Sequence, residues 1–320
     1  MKGFLNKLFN FQYIYGGMKY KVTIFGIKLT FPTLYSLIAK KTSVYYKYKK
    51  NNIDITTLPP ATGQMRDVQL ANLAILKEFD KFCRENNLTY WLEYGTMLGA
   101  IRHKGYIPWD DDIDVGMPRN DYERLRDIFE EKSPNSDLHF VHIKNNNGMY
   151  LLKLAHKECD LLFIDIFPHD YCKKHSTREE KDATIEKVKA IRNDFIDRTN
   201  IEDLTDSEFY AKYAELRKSV GIFEEKDDTK QQDLIFGIEF GHFTNNFVEE
   251  YNDIFPLKEY EFEGYQFFGV NNYDQKLKEL YTENYMGYPP DICWGHSGYI
   301  KLSKKYKRIV EIMKQKSGRI

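Results

Sequence analysis

From Asp112 to Met117 the chain alternates strictly. Asp112, Asp114 and Gly116 fall on one parity, and Ile113, Val115 and Met117 fall on the other. A period of two is the pattern of a β-strand with one face in a core. The other face then carries two carboxylates side by side. Asp110 shares that face if the chain is still extended there, whereas Asp111 is expected to point away and matter least. Carboxylates this close repel strongly unless a cation sits with them. Mg²⁺, with Mn²⁺ as the alternative, favours hard oxygen ligands and binds through a few carboxylates plus substrate phosphates. The run therefore demands a strand, a core on one side of it and a metal site on the other. Asp110, Asp112 and Asp114 are the expected ligands.

A third acid should come from a neighbouring strand. Phe163-Ile164-Asp165-Ile166-Phe167 sets one carboxylate inside an apolar strand, which is costly unless the charge is paired or metal-bound. Asp165 is expected either to complete the metal site or to act as general base, with Asp112 and Asp114 as its catalytic partners. Upstream, Gly95-Thr96 makes a tight strand-to-helix turn, and N–H groups at such a turn can hold phosphate. Arg102, His103 and Lys104 lie between turn and acids, placed to meet phosphate charge. Taken singly, each feature has a plainer reading: a solvated acidic turn, an edge-strand acid facing water, a solvated basic turn. Together they point to one site.

The rest of the chain sets the frame. Residues 1–60 read as an accessory segment, with two short strands or one bulged strand across Val22 to Phe31 and a boundary at Pro59-Pro60. Residues 61–320 read as the catalytic domain. A helix starts at Arg66, with Val68, Ala71, Ile75, Phe79 and Phe82 at helical spacing, and ends at Asn86-Asn87. Leu88 to Tyr94 reads as a strand, followed by a short helix to Ile101. After the acidic strand a helix carries Tyr122, Leu125, Ile128 and Phe129. Strands follow at 138–143, 150–156 and 161–167. Residues 176 to about 246 look helical and highly charged, a helical insertion of about 176–250. A hairpin at Glu263-Gly264 and a helix from Tyr273 to Tyr285 close the pattern. The fold class is α/β (α+β), a mixed sheet flanked by helices.

Composition limits the function. With 320 residues and a formal net charge of -1 there is no global pull toward nucleic acid. The four cysteines, Cys83, Cys159, Cys172 and Cys293, form no paired metal knuckle and suit a reducing compartment. No apolar run approaches the roughly 20 residues that span a bilayer, so a cytoplasmic protein is expected. Lys40, Lys41, Lys47, Lys49 and Lys50 alternate with Tyr45, Tyr46 and Tyr48. That run could lean on an anionic membrane at its inner face; the plainer reading is a solvated basic helix.

The stretch Tyr94-Gly-Thr-Met-Leu-Gly-Ala-Ile-Arg-His-Lys-Gly-Tyr-Ile-Pro-Trp-Asp-Asp-Asp-Ile-Asp-Val-Gly-Met117 resembles the signature of the LicD family, which includes bacterial phosphocholine transferases and, distantly, fukutin-related protein. Pro118 to Leu125, the helix from Val68 to Cys83, and Ile164-Asp-Ile-Phe-Pro168 are similar to the family too. Tyr285-Met-Gly-Tyr-Pro-Pro290 with His296 is a weaker likeness. The resemblance covers about 60 to 300. It implies a nucleotidyltransferase-like core and transfer of a phospho-substituent from a CDP-linked donor to a sugar hydroxyl, on a surface glycan or its lipid-linked precursor, with release of CMP. On that model Gly95 and Thr96 match the glycine turn, and Asp112 and Asp114 match the metal-binding pair. Asp110 is adjacent in role and Asp165 is the third acid. Arg102 and Trp109 fall within the signature as substrate-binding candidates. The scattered cysteines do not match the zinc insertion of the animal relative, which points to the bacterial branch. CDP-choline is the first expectation for the donor, in lipopolysaccharide, teichoic acid or capsule assembly, and for that donor Trp91, Trp109, Trp294 and many tyrosines are candidates for an aromatic cage around the quaternary ammonium group. Phosphoethanolamine, ribitol phosphate and glycerol phosphate are the alternatives. An inactive scaffold in glycan assembly is the non-enzyme reading.

Overall fold

A computed structural model of the chain describes residues 9–14, 19–24, 27–32, 44–144, 150–223, 225–227, 231–240, 247–289 and 302–318. In chain order the described strands are β1 Phe9–Ile14, β2 Lys19–Ile24, β3 Ile27–Pro32, β4 Trp91–Leu92, β5 Asp114–Pro118, β6 Leu138–Lys144, β7 Tyr150–His156, β8 Cys159–Lys173, β9 Ile222–Phe223, β10 Gln232–Phe236, β11 Val248–Glu250, β12 Lys258–Phe262 and β13 Tyr265–Gly269. The helices are α1 Val44–Lys50, α2 Gly63–Glu85, α3 Tyr94–His103, α4 Arg119–Lys132, α5 Arg178–Arg198, α6 Asp206–Val220, α7 Tyr251–Ile254, α8 Tyr273–Leu280 and α9 Lys304–Ser317.

The main sheet is mixed and flanked by helices. Its path is β11-β10-β8-β5-β4, with the β6–β7 hairpin and β9 also on β8. β5 runs parallel to β8, and the remaining pairs are antiparallel. β8 is 15 residues long. It pairs β7 through its first half, β5 through its middle, and β9 and β10 near its end.

α2 buries far more than one stripe, because β8 and α9 both pack on it. Val68, Leu73, Ile75 and Phe79 are fully covered. It stops at Asn86, and Asn87 follows with φ +51°, a left-handed position that asparagine tolerates. α9 was not anticipated. It starts on a Ser303 side-chain cap and buries Ile309, Val310 and Met313, with Lys314 on Asp67 and Lys77 on the Ser317 carbonyl.

Between 176 and 246 the chain is not all helix. α5 and α6 fit the charged pattern, and Thr205 with Glu208 forms a capping box on α6. β9 and β10 then correct the expectation of a helical stretch to about 246, since β10 is a fully buried strand on β8. Two β-residues and five are too short to stand out among charged neighbours. Arg119 ties this region to the sheet: it is wholly buried, on Asp170 at 2.7 Å and Glu239 at 2.8 Å. The hairpin at Glu263-Gly264 is present as β12–β13. β2 and β3 are the two short strands expected, with β1 added to them. α8 ends at Leu280, earlier than the expected Tyr285. Among the described residues no helix is long and apolar enough to cross a membrane.

Candidate active site

The acidic run is held from three sides. Two polar residues on the buried face of α2 reach it: Gln69 donates to the Asp110 carbonyl at 2.7 Å and Asn72 to the Asp111 carbonyl at 2.8 Å. Asn72 also accepts from the Phe163 amide at 3.0 Å, so one side chain links the run to β8. Then the Asp114 amide donates to Thr96 Oγ1 at 2.8 Å, and the Asp165 amide donates to the Ile113 carbonyl at 2.8 Å. Each such bond, lost in a buried setting, would cost about 1–3 kcal/mol.

β5 begins at Asp114, so Asp112 precedes the strand it was assigned to. Its carboxylate still joins the site: single oxygens of Asp112, Asp114 and Asp165 lie within 4.8 Å of one another. The β5–β8 register sets Asp114 beside Asp165. A second trio under the same limit is Asp110, Asp111 and Asp112. Asp111 is thus within reach of Asp110 and Asp112, though it is not in the trio with Asp114 and Asp165. It is the buried acid of the run, 4% exposed, on the same parity as the buried Ile113 and Val115.

Electrostatics match the geometry. Burial and then the Asp112 charge push the Asp110 carboxyl well above its usual range, and Asp110 also hydrogen-bonds Asp112. Burial, then Asp112 and Asp165, push Asp114 up in the same way. A site of oxygen donors alone, strained by its own charge, is the donor set that Mg²⁺ or Mn²⁺ relieves. Histidine and cysteine are missing from both trios, which argues against zinc.

Gly95 and Thr96 lie in the first turn of α3, beside these acids. A Cβ on Gly95 would meet Asp110 Oδ2 at 2.5 Å, so only glycine lets that carboxylate approach. Tyr94, which starts the helix, has φ +39°. Strain of this kind at a turn needs support from its surroundings.

The three expected cations do not act as a set, although the Arg102 charge is felt at Asp110. Arg102 is buried and donates to the Tyr285 carbonyl at 2.9 Å and the Gly287 carbonyl at 3.2 Å, and burial lowers its pKa to about 10. His103 accepts from Arg102, and burial and then that charge push it down to about 3, so it is neutral. Lys104 is exposed at the far end of α3, a left-handed cap with φ +57°. Lys153 is in direct contact with one of the acids, on Asp165 at 2.9 Å. A lysine in mid-strand reads as a solvent-facing residue, so only the pairing reveals it.

Trp109 is buried and packs on Tyr45 at 5.1 Å. Trp91 is fully covered and donates to Glu93 at 2.6 Å, which removes it from any open cage. Trp294, His296, Cys293 and Pro290 lie outside the described residues. Tyr281 was missed. It is 39% exposed, yet its phenol is pushed well above the usual value by loss of solvent and by the carboxylates of Asp114, Asp110, Glu93 and Asp112. Tyr45, Tyr46 and Tyr48 turn toward the core, leaving Lys47 and Lys50 on the exposed side of α1.

Behind the acids lies a second buried charge cluster that sequence did not suggest. Lys276 contacts Glu93 at 2.8 Å and also Glu249; His169 lies between the same acids, 3.3 Å from Glu93 and 3.0 Å from Glu249. Glu93 caps α3, and its amide donates to the Asp114 carbonyl at 2.9 Å, so the cluster braces the turn that carries Gly95.

Residues 87–202 match the family model described as LicD/FKTN/FKRP, nucleotidyltransferase domain. The chain is 29% identical over 256 residues to the lipopolysaccharide cholinephosphotransferase LicD of Haemophilus influenzae, covering 71% of this chain and 93% of that protein. It is 38% identical over 82 residues to the human ribitol 5-phosphate transferase FKRP, 25% of this chain and 16% of that protein. Mannosyltransferase regulator 14 of Saccharomyces cerevisiae is 23% identical over 255 residues, 62% of this chain and 27% of that protein.

Proposed function

We propose, with a LicD-type nucleotidyltransferase domain over residues 87–202 as the premise, that this chain transfers a substituted phosphate from a CDP-linked donor to a glycan hydroxyl. The observation that carries the reading is the meeting of Asp112, Asp114 and Asp165 within 4.8 Å at the first turn of α3. Asp112, Asp114 and Asp165 would hold Mg²⁺ or Mn²⁺, with Asp110 beside them. The ion, when bound, supplies neutralisation of diphosphate charge as CMP departs. The chain's own part is positioning. The Gly95-Thr96 turn offers backbone N–H groups to a phosphate, and Thr96 fixes the start of β5. Asp165, ion-paired to Lys153, serves as a ligand rather than as the base. Alignment of donor phosphorus and acceptor oxygen then does most of the work.

Phosphocholine from CDP-choline is the first cargo to test, since the relative named a cholinephosphotransferase aligns over 93% of its length. Ribitol phosphate is second, from the shorter likeness to the ribitol 5-phosphate transferase; phosphoethanolamine and glycerol phosphate follow. The acceptor is a surface glycan or its lipid-linked precursor. Residues 61–320 form the catalytic domain on this reading, with about 176–250 as an insertion and 1–60 as an accessory segment. Its place is the cytoplasmic face of the membrane, where Lys47 and Lys50 would meet anionic lipid.

The test is CMP release by the full chain with Mg²⁺ and a lipopolysaccharide acceptor, across the four CDP donors, with and without chelator. Chelator-sensitive CMP release from one donor supports the reading. Mg²⁺-dependent binding of CDP-choline without turnover of any donor would favour the scaffold instead.

A further inference from the structure

Three residues on three adjacent strands stand in one row. Lys153 of β7 is registered opposite Asp165 of β8, and Asp165 is registered beside Asp114 of β5. Residues in register across a sheet present their side chains to one face. The Lys153 ammonium is 2.9 Å from Asp165 Oδ1 and 3.4 Å from the centroid of the Phe163 ring, with its side chain 15% exposed. The acid it holds is also one of the trio that can ligate a cation.

We propose that Lys153 is the exchangeable cation of this site: it neutralises Asp165 while the metal is away, and it turns to the donor's phosphates when the metal is bound. The inference rests on the metal-dependent phosphotransfer reading above. Its physical basis is that two cations compete for one carboxylate. A divalent ion on Asp112, Asp114 and Asp165 repels the ammonium and takes up the Asp165 charge that held it. The lysine head rides on a flexible four-carbon stem and is a compact point charge suited to phosphate. The other cations of the neighbourhood have different tasks. Arg102 is held on backbone carbonyls and its charge acts on Asp110 rather than Asp165, His103 is neutral, and Lys104 is at the far end of α3.

The test uses the full chain and Lys153→Met, with Lys153→Arg as the charge-retaining control. Titration calorimetry with Mn²⁺ should show Lys153→Met binding the metal about tenfold more tightly, because a competing charge is gone. With Mg²⁺ present, the same variant should bind CDP about tenfold more weakly, because a charge-assisted phosphate contact is lost. Lys153→Arg should stay near the parent in both titrations. Metal affinity that is unchanged or weaker in a folded Lys153→Met would overturn the inference, leaving a purely structural ion pair. If that variant does not fold, the parent answers alone. Mg²⁺ should raise labelling of Lys153 by an amine-reactive reagent, read by mass spectrometry, and Mg²⁺ with CDP should suppress it. Labelling that ignores Mg²⁺ would overturn the inference while leaving the metal reading intact. A parent that binds no divalent metal would overturn both.

Discussion

The Asp110 carboxylate occupies the space that a side chain on residue 95 would need, with Oδ2 2.5 Å from where the Cβ of Gly95 would sit. Gly95 is therefore a glycine for the sake of its neighbour, since its own backbone is ordinary first-turn helix. Gly95→Ala should fold, shift the Asp110 carboxylate and cost about 10²-fold in kcat/KM, the scale of a misplacement near 1 Å. Steady-state CMP release checks this, and wild-type kinetics in the alanine variant would show that the close approach is unimportant.

The carboxylates that would hold the metal are a burden without it. Asp114 is pushed above its usual range by burial and by Asp112 and Asp165. Asp114→Asn should abolish turnover and raise the Tm of the metal-free protein by roughly 2 °C or more. Differential scanning fluorimetry in chelator reads the second effect. A variant that loses activity and melts lower would mean Asp114 supports the fold rather than the site.

The cluster behind the site predicts how stability follows pH. Burial alone would lower the His169 pKa, but Glu249 and Glu93 overcome it and hold the histidine above 6.5. Its contribution is complete below 6.5 and is lost as pH rises through the folded value. Glu249 behaves oppositely: against its burial, Lys276 and His169 hold it at about 2 rather than 4.5, so its contribution is lost as pH falls from 4.5 toward 2. His169→Asn should flatten the alkaline limb of a Tm-against-pH curve, and Glu249→Gln the acid limb. Lys276→Met leaves two buried acids with one cation and should cost about 3–5 kcal/mol in urea unfolding. Parallel curves for parent and His169→Asn would remove His169 from this account.

Tyr45 joins the accessory segment to the signature loop. Its hydroxyl donates to the Pro108 carbonyl at 3.0 Å and its ring packs on Trp109. Tyr45→Phe tests the hydrogen bond alone, worth about 1 kcal/mol, while Tyr45→Ala also loses the ring pair, worth about another 0.5–1.5 kcal/mol. Activity should fall in the order parent, Phe, Ala. Equal activity in all three would show that α1 does not steady the loop.

Much of the site could be read from the residues, and the reasons are physical. A spacing of two with core residues between made Asp114 and its strand legible, and one acid in an apolar run exposed Asp165. The alternation carries back through the loop before β5, where Asp111 is buried with Ile113 and Val115 while Asp112 and Asp114 are partly open. Lys153, Lys276 and Glu249 stayed hidden because a buried ion pair looks, in one dimension, like two solvated charges far apart. β8 was read only to Phe167 because Pro168, His169 and Asp170 resemble a stop; Asp170 in fact turns inward to Arg119. β10 was lost for a similar reason, since Asp233 interrupts it yet lies buried against His175 at 3.1 Å.

The row Lys153–Asp165–Asp114 also bears on how the sheet finds its alignment during folding. β7 offers leucines at 151, 152 and 154, so apolar burial alone distinguishes poorly between neighbouring alignments on β8. A slip of two residues would set Leu151 or Ala155 opposite Asp165 and leave a buried acid facing hydrocarbon, while a slip of one would turn Lys153 to the opposite face. The charge pair thus rejects both errors, and the hairpin that delivers the lysine is proofread by the acid it serves.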